Sequence, residues 1–205
     1  QRHNYLLPLP FLVYRGDILR VSRDQVRGLL YQGPRSELDI SLGASIPVRS
    51  DKNTARSGMA DLDPTVEIGP QWSYRLRVDQ IQATLRLPLR RAVAIDFPHG
   101  RGVGWVFTPS IALDRHDHPA PGWHSSISTG PMFADRSYHA YYYTVAPADA
   151  TADRPTYAAK GGYGGWNLTA TLGKSDGRLW IGGFLRANHL GGAVFGHPEV
   201  ELGPA

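Results

Sequence analysis

The stretch from Asp114 to Ser126 gathers residue types that often do chemistry in proteins. It reads DRHDHPAPGWHSS and places His116, His118 and His124 close to two aspartates. Imidazoles and carboxylates together can hold a transition metal. A histidine close to a serine can instead support nucleophilic catalysis.

Neither chemistry is favoured by the spacing. No helix or hairpin register clearly brings the three histidines together, so a polar loop between two strands is the preferred interpretation. If this stretch is a strand, His124 and Ser125 point to opposite faces, and only Ser126 shares a face with His124. We therefore predict no catalytic residues, no metal, no cofactor and no enzymatic activity.

The elements around this stretch are strands. ELDISLGASIPVR, residues 37–49, alternates apolar and polar or small residues with a period of two. A soluble sandwich would bury the apolar face, whereas a membrane barrel would turn it towards lipid. Its thirteen residues exceed an ordinary soluble strand and suit a tilted membrane strand of about 9–11 residues.

The same alternation recurs along the chain and predicts about ten strands. WSYRLRV and QIQATLRLP are separated only by Asp79 and Gln80, so we expect an antiparallel hairpin. GGWNLTATLGK and GRLWIGGFLRANHL flank a second tight turn at residues 175–177. No helix of ordinary length is predicted, and two irregular stretches, residues 50–64 and 134–162, interrupt the series. GGYGG, residues 161–165, is better explained by close packing or a strand bend than by phosphate binding.

Composition limits the function classes. Twenty-two Lys and Arg against eighteen Asp and Glu give a net charge of +4, and these charges are dispersed rather than clustered. Nucleic-acid binding, which requires a basic stripe, is therefore not expected. The chain has no cysteine, so disulfides and thiolate metal sites are excluded.

Several charged side chains share the polar face of the predicted strands. In a sandwich they would be solvated, whereas in a barrel they would form pairs across the lumen that close it or make it selective for anions. We predict this lumen network to comprise Glu37, Asp39, Arg75, Arg77, Arg86, Arg178 and Arg186. Aromatic residues occur near strand ends. An interfacial girdle and the ordinary β-propensity of aromatic residues explain these positions equally well.

The second irregular stretch is rich in tyrosine and arginine. These residue types are favoured at binding hot spots, so the stretch could form a partner-binding surface. The slightly preferred alternative is that it folds back into the lumen as a plug. The residues concerned are Tyr138, Tyr141, Tyr142, Tyr143 and Arg154.

Several strings resemble the MipA/OmpV family of outer-membrane β-barrels from Gram-negative bacteria. They include LPLPFLVYRGDILRV, RAVAIDF with GWVFTPSIAL, and YHAYYYTV with RPTYAAKGGYGGWNLTATLGK. The most specific is NTARSGMADLDPTVEIGP, residues 53–70, which supplies a family-motif loop formed by Arg56, Gly58, Met59, Asp61, Asp63 and Pro64.

The resemblance implies an all-β, antiparallel transmembrane barrel in a single domain, residues 1–205, located in the outer membrane and surrounded by its lipid. It implies a scaffold that docks a lytic transglycosylase and a bifunctional penicillin-binding protein during murein synthesis. A porin-like channel for small anionic solutes and a soluble β-sandwich binding module remain the alternatives. The resemblance also leads us to expect a removed signal peptide, further strands at the ends, and a complete barrel of about twelve strands.

Overall fold

A computed structural model describes residues 14–15, 19–21, 26–45, 47–52, 56–96, 99–117, 119–175 and 180–192. Almost all of the regular structure is antiparallel β-sheet. The strands are β1 (Tyr14–Arg15), β2 (Leu19–Val21), β3 (Val26–Gln32), β4 (Ser36–Ser45), β5 (Thr65–Val78), β6 (Ile81–Asp96), β7 (His99–Phe107), β8 (Ser110–His116), β9 (Trp123–Ala134), β10 (Gly162–Ser175) and β11 (Trp180–Leu190). One α-helix, α1 (Arg136–Tyr143), and two short 3-10 helices, Ser50–Lys52 and Pro147–Asp149, complete the described elements. None of the described helices is long and apolar enough to cross a membrane.

The strands form one meandering sheet in which each pairs with its neighbour in sequence. β7 and β8 act together as a single strand, interrupted at Thr108 and Pro109, because both pair with β6 on one side and with β9 on the other. The predicted hairpin at Asp79 and Gln80 is confirmed by the pairing of Val78 with Ile81. The predicted all-β antiparallel class is likewise confirmed, and the described residues form eleven strands where about ten were expected.

The connections differ in length at the two ends of the sheet. At one end, called the short-turn end, β3–β4, β5–β6 and β8–β9 are joined by residues 33–35, 79–80 and 117–122. At the other, called the long-segment end, β4–β5 and β9–β10 are joined by residues 46–64 and 135–161, while β6–β7 is joined by residues 97–98. Both irregular stretches of the sequence therefore lie at the same end.

Two prolines lie inside the long central strands. Pro70 lies within β5 and Pro88 within β6. A proline has no N–H to donate to a sheet, and a central strand normally excludes it. Pro70 lies opposite Ile40 of β4. Between β5 and β6, Ile68 pairs with Arg91 and Gln71 pairs with Pro88, but the residues between these two pairs are not paired.

The sheet has an inverted distribution of polarity. On β4, Glu37, Asp39 and Ser41 are buried, whereas Leu42 on the other face is exposed. The same holds on the neighbouring strands, where large apolar side chains remain exposed; they include Val66, Ile68, Trp72, Leu76, Leu89, Ile111, Leu113, Ile127, Leu168 and Leu172. We call the face with Glu37 the inner face and the face with Leu42 the outer face. A soluble sandwich would show the reverse arrangement.

Candidate functional site: the inner face and the segment that covers it

The inner face of β4, β5 and β6 carries the polar and charged side chains. Arg75 forms an ion pair with Glu37, which is almost fully buried. Arg90 donates from Nε to Ser41 Oγ at 2.6 Å, and its Nη1 lies 3.4 Å from Glu67 Oε2. Because both Glu67 and Arg90 are only about one-sixth exposed, their interaction is little screened by water.

The members of the predicted lumen network have different positions. Glu37 and Arg75 are paired, Asp39 is fully buried on the same face, and Arg86 lies half-buried on β6. Arg77 and Arg186 are exposed; Arg77 donates to Asp79 O and Arg186 to Thr169 Oγ1, each at 3.4 Å. Arg178 lies outside the described residues.

Sequence analysis missed Glu67 and Arg90. Both have the inner-face parity of Gln71 and Arg86, so continuing the alternation through the two prolines would have found them. The alternating strings identified in the sequence run over residues 72–78 and 80–88, so neither residue was included.

A helix absent from the predictions lies against this face. α1 begins after Asp135, whose Oδ1 accepts a hydrogen bond from Tyr138 N at 2.8 Å, as an N-cap does. The other carboxylate oxygen accepts from Trp105 N at 3.0 Å, so this one side chain attaches the helix to β7. The aspartate before RSYHAYYY was the available sequence signal.

We expect Asp135→Ala to free the start of α1. The change removes two acceptors, and loss of an N-cap costs about 1 kcal/mol. The free energy of unfolding should fall by about 1–2 kcal/mol in denaturant titrations. Asp135→Asn is the matched control and should lose less stability, because its amide oxygen still accepts from Tyr138 N although its NH2 group cannot accept from Trp105 N. Equal losses would contradict the capping role.

Small residues on the inner face make room for the helix. Ala92, Ala94, Val103 and Val106 pack with Tyr138 in a buried apolar cluster. Larger side chains at these positions in the sheet, which we call the wall, would displace the ring of Tyr138. These residues and α1 thus form a compact apolar core on the inner face of the sheet.

Two glycines permit the closest contacts. A Cβ at Gly104, where φ is +153°, would lie 2.5 Å from Tyr138 N. A Cβ at Gly164 would lie 2.6 Å from His139 Nε2 and 2.7 Å from Met132 Cε. Gly164 belongs to GGYGG, and a register shift also falls between Tyr163 and Gly165. The motif therefore provides both close packing and a strand irregularity, as the sequence indicated.

The tyrosines of α1 point into this packed region. Tyr138 OH donates to Glu67 Oε1 at 3.0 Å, and Tyr142 OH is 2.9 Å from Thr65 Oγ1. Tyr141 OH donates to Asp63 O at 3.2 Å. Burial, together with the carboxylate of Glu67, raises the pKa of Tyr138, so its phenol stays protonated as the hydrogen-bond donor. Burial also raises the pKa of Tyr143 to about 12.

Arginines link the two long segments to each other. Arg56 donates from Nη1 to Tyr142 O at 2.9 Å and from Nη2 to Ala60 O at 3.1 Å. Arg154 donates from Nη1 to Ser57 O at 3.1 Å and from Nη2 to Asp149 O at 2.7 Å. Burial and the nearby Arg154 guanidinium lower the pKa of Arg56.

The family-motif loop is ordered by its own contacts. Asp61 Oδ1 accepts from Ser50 N at 2.7 Å, and Met59 N donates to Arg56 O at 2.9 Å. Gly58 has a φ of +81°, a backbone conformation that favours glycine, although an added Cβ would meet no atom within 4 Å. Pro64 O accepts from Ile95 N at 2.9 Å, which joins the end of the loop to β6.

The histidine-rich stretch lies near the short-turn end. The rings of His116 and His124 are 4.6 Å apart, and His124 Nε2 is 3.8 Å from Asp114 Oδ1. Ser126 lies opposite Asp114 in the β8–β9 register, and no hydrogen bond among the described residues joins it to His124. Across the described ranges, no group of three or more ligands could hold a metal; His118 lies outside them.

An all-β sheet with a charged, partly covered inner face and an apolar outer face is the architecture of barrel-type membrane proteins. The family model described as MltA-interacting protein MipA matches residues 1–195, so the chain belongs to this family. Searches of curated proteins and of solved structures returned no significant match. Family membership and the sheet together fit an outer-membrane protein.

Proposed function

We propose that this chain is an outer-membrane β-barrel that serves as a docking scaffold for murein-cleaving and murein-synthesising enzymes rather than as an open pore or an enzyme. The inverted sheet supports the membrane location, because exposed Leu, Ile and Trp side chains need an apolar solvent. The family description, MltA-interacting protein, supports a lytic transglycosylase as one partner. The penicillin-binding protein is proposed from the family resemblance alone.

The covering of the inner face is the observation that carries the scaffold role. Part-buried hydrogen bonds join α1 to Glu67 and Thr65 of β5 and to Asp63 of the segment before β5. A segment held in this way narrows any channel that the inner face of the sheet would line. We propose that Tyr138, Tyr141, Tyr142 and Tyr143, with Arg154, form a plug and not a partner-binding surface.

The short-turn end is the proposed docking surface. Bacterial barrels have short periplasmic turns and longer extracellular loops, and murein enzymes act on the periplasmic side. A hollow of about 430 Å³ opens there, lined by Arg77, Gln80, Gln82, His116 and Asp117. Mixed charges at such a surface favour orientation and selectivity in association.

Co-purification with a lytic transglycosylase at native expression levels tests the scaffold role. We expect Arg77→Glu to reduce capture several-fold, since reversing a charge at a contact surface slows association. Arg136→Glu, an exposed change at the start of α1 on the opposite end, should leave capture intact. Equal capture by all three proteins would place the partner elsewhere, and no capture by the wild type would overturn the scaffold role.

A channel for small anionic solutes is the second candidate. Arg77 and Arg186 are exposed on the inner face, and half-buried hydroxyls of Ser128 and Thr169 face each other across β9 and β10. Planar-bilayer recordings separate the candidates: a plugged scaffold gives no conductance above leak, whereas steady anion-selective conductance supports the channel.

A further inference from the structure

The outer face of β4 to β10 carries charges of one sign only. Cross-strand register assigns each residue to a face, because directly opposed residues share one. On this basis the charged residues of the outer face are Arg91, Arg115 and Lys174, and there is no carboxylate among the described residues of these strands on that face. The inner face, by contrast, carries Glu37, Asp39, Glu67 and Asp114 beside its arginines.

Two of these cations are paired with tryptophans. Arg91 lies opposite Trp105, with its guanidinium carbon 5.6 Å from the ring centroid. Lys174 lies opposite Trp123, with Nζ 5.9 Å from the ring centroid. Tryptophan favours the boundary between hydrocarbon and headgroups, and a long basic side chain beside it can extend its charge into that boundary.

The cations lie at opposite ends of the apolar band. Arg91 is near the long-segment end of β6, and Arg115 pairs with Ile81 at the other end of the same strand. About ten residues separate Ile81 from Arg91, or about 33 Å along the strand. At a tilt of about 40° this is about 25 Å along the membrane normal, the height of the apolar band of a membrane barrel.

Between these levels the outer face avoids unsatisfied polar atoms. Thr129 is the polar side chain nearest the middle of this band, and its hydroxyl donates to Asn167 O at 2.9 Å. The same hydroxyl accepts from Trp166 Nε1 at 2.6 Å. Polar groups in hydrocarbon need such internal hydrogen bonds. The cations at the edges have tryptophan rings but no described carboxylate beside them on this face, so they can still bind an anion.

We propose that Arg91 with Trp105, and Lys174 with Trp123, bind the headgroup phosphates of anionic lipids at the two boundaries of the membrane. An ammonium or guanidinium group donates charge-assisted hydrogen bonds to phosphate oxygens. A carboxylate on this face would repel the same headgroups, which gives a reason for its absence. The inference rests on the proposed membrane location and adds the lipid chemistry that the outer face selects.

Native mass spectrometry of the full chain in detergent tests this proposal, with phosphatidylglycerol and phosphatidylcholine of the same acyl chains as probes. We expect the wild type to retain more phosphatidylglycerol than phosphatidylcholine. The double variant Arg91→Gln/Lys174→Gln should lose about fivefold in apparent affinity for phosphatidylglycerol per cation removed. Arg186→Gln/Lys160→Gln removes the same charge away from the outer face and should bind like the wild type.

Three results would overturn the proposal. Unchanged phosphatidylglycerol binding in the Arg91→Gln/Lys174→Gln variant would show that these cations are not the site. An equal loss of affinity in the control variant would show that the loss reflects the net charge of the protein and not these two sites. Displacement of the lipid by inorganic phosphate would indicate a general anion site. Failure of the wild type to insert into lipid vesicles would instead overturn the membrane location itself.

Discussion

Ile127→Arg should prevent stable insertion of the protein into a bilayer. Ile127 is 52% exposed on the outer face of β9, and its cross-strand neighbours there are Leu113 and Ala170. An arginine at the middle of the lipid-facing surface of a barrel costs about 2–4 kcal/mol. We therefore expect the free energy of unfolding from vesicles to fall by about that amount, measured by urea titration with tryptophan fluorescence.

Ser128→Arg is the matched control for this substitution. It introduces the same side chain one residue away, on the inner face, where its cross-strand neighbours are Ala112 and Thr169. Its unfolding free energy should change by less than about 1 kcal/mol. Opposite behaviour, with Ser128→Arg destabilising and Ile127→Arg tolerated, would mean that the apolar face is the buried one and that a soluble sandwich is correct.

Glu67→Ala should release α1 from the wall. Glu67 accepts from Tyr138 OH and pairs with Arg90, so its loss leaves a phenol and a guanidinium without their shared acceptor. Breaking a buried pair by removing one member costs about 3–5 kcal/mol. Since both groups keep some contact with water, we expect about 3 kcal/mol, together with faster proteolytic cleavage within residues 135–161.

Two further variants separate the contributions of the contacts. Glu67→Gln keeps an acceptor for Tyr138 and should lose less stability than Glu67→Ala. Tyr138→Phe removes only the hydroxyl and should cost about 1 kcal/mol. Unchanged proteolysis in Glu67→Ala would show that α1 is held mainly by its apolar cluster and not by this carboxylate.

The same substitution links the plug to the proposed channel. If the covering of the inner face limits conductance, Glu67→Ala should produce intermittent openings in planar-bilayer recordings where the wild type shows none. A silent Glu67→Ala protein with increased cleavage would mean that the released segment still fills the passage.

The alternation of residues determined the strands and their hairpins. Period-two patterning and the short turn at Asp79–Gln80 are local features, because they depend on residues that are adjacent or nearly so. The charged residues of one parity were identified in the same way, and Glu37 and Arg75 do share a face and a contact. The alternating strings were followed only over residues 72–78 and 80–88, so Glu67 and Arg90, which lie beyond the two prolines, were missed.

Tertiary structure alone decided which face is exposed, which is covered, and what covers the inner one. An alternating strand is compatible with either orientation, since inverting the solvent leaves the pattern unchanged. The helix was missed because its eight residues have weak helical patterning and are stabilised by distant partners: Glu67 lies about seventy residues before Tyr138. Interactions between residues so far apart depend on the wrapping of the whole sheet, and no local propensity encodes that.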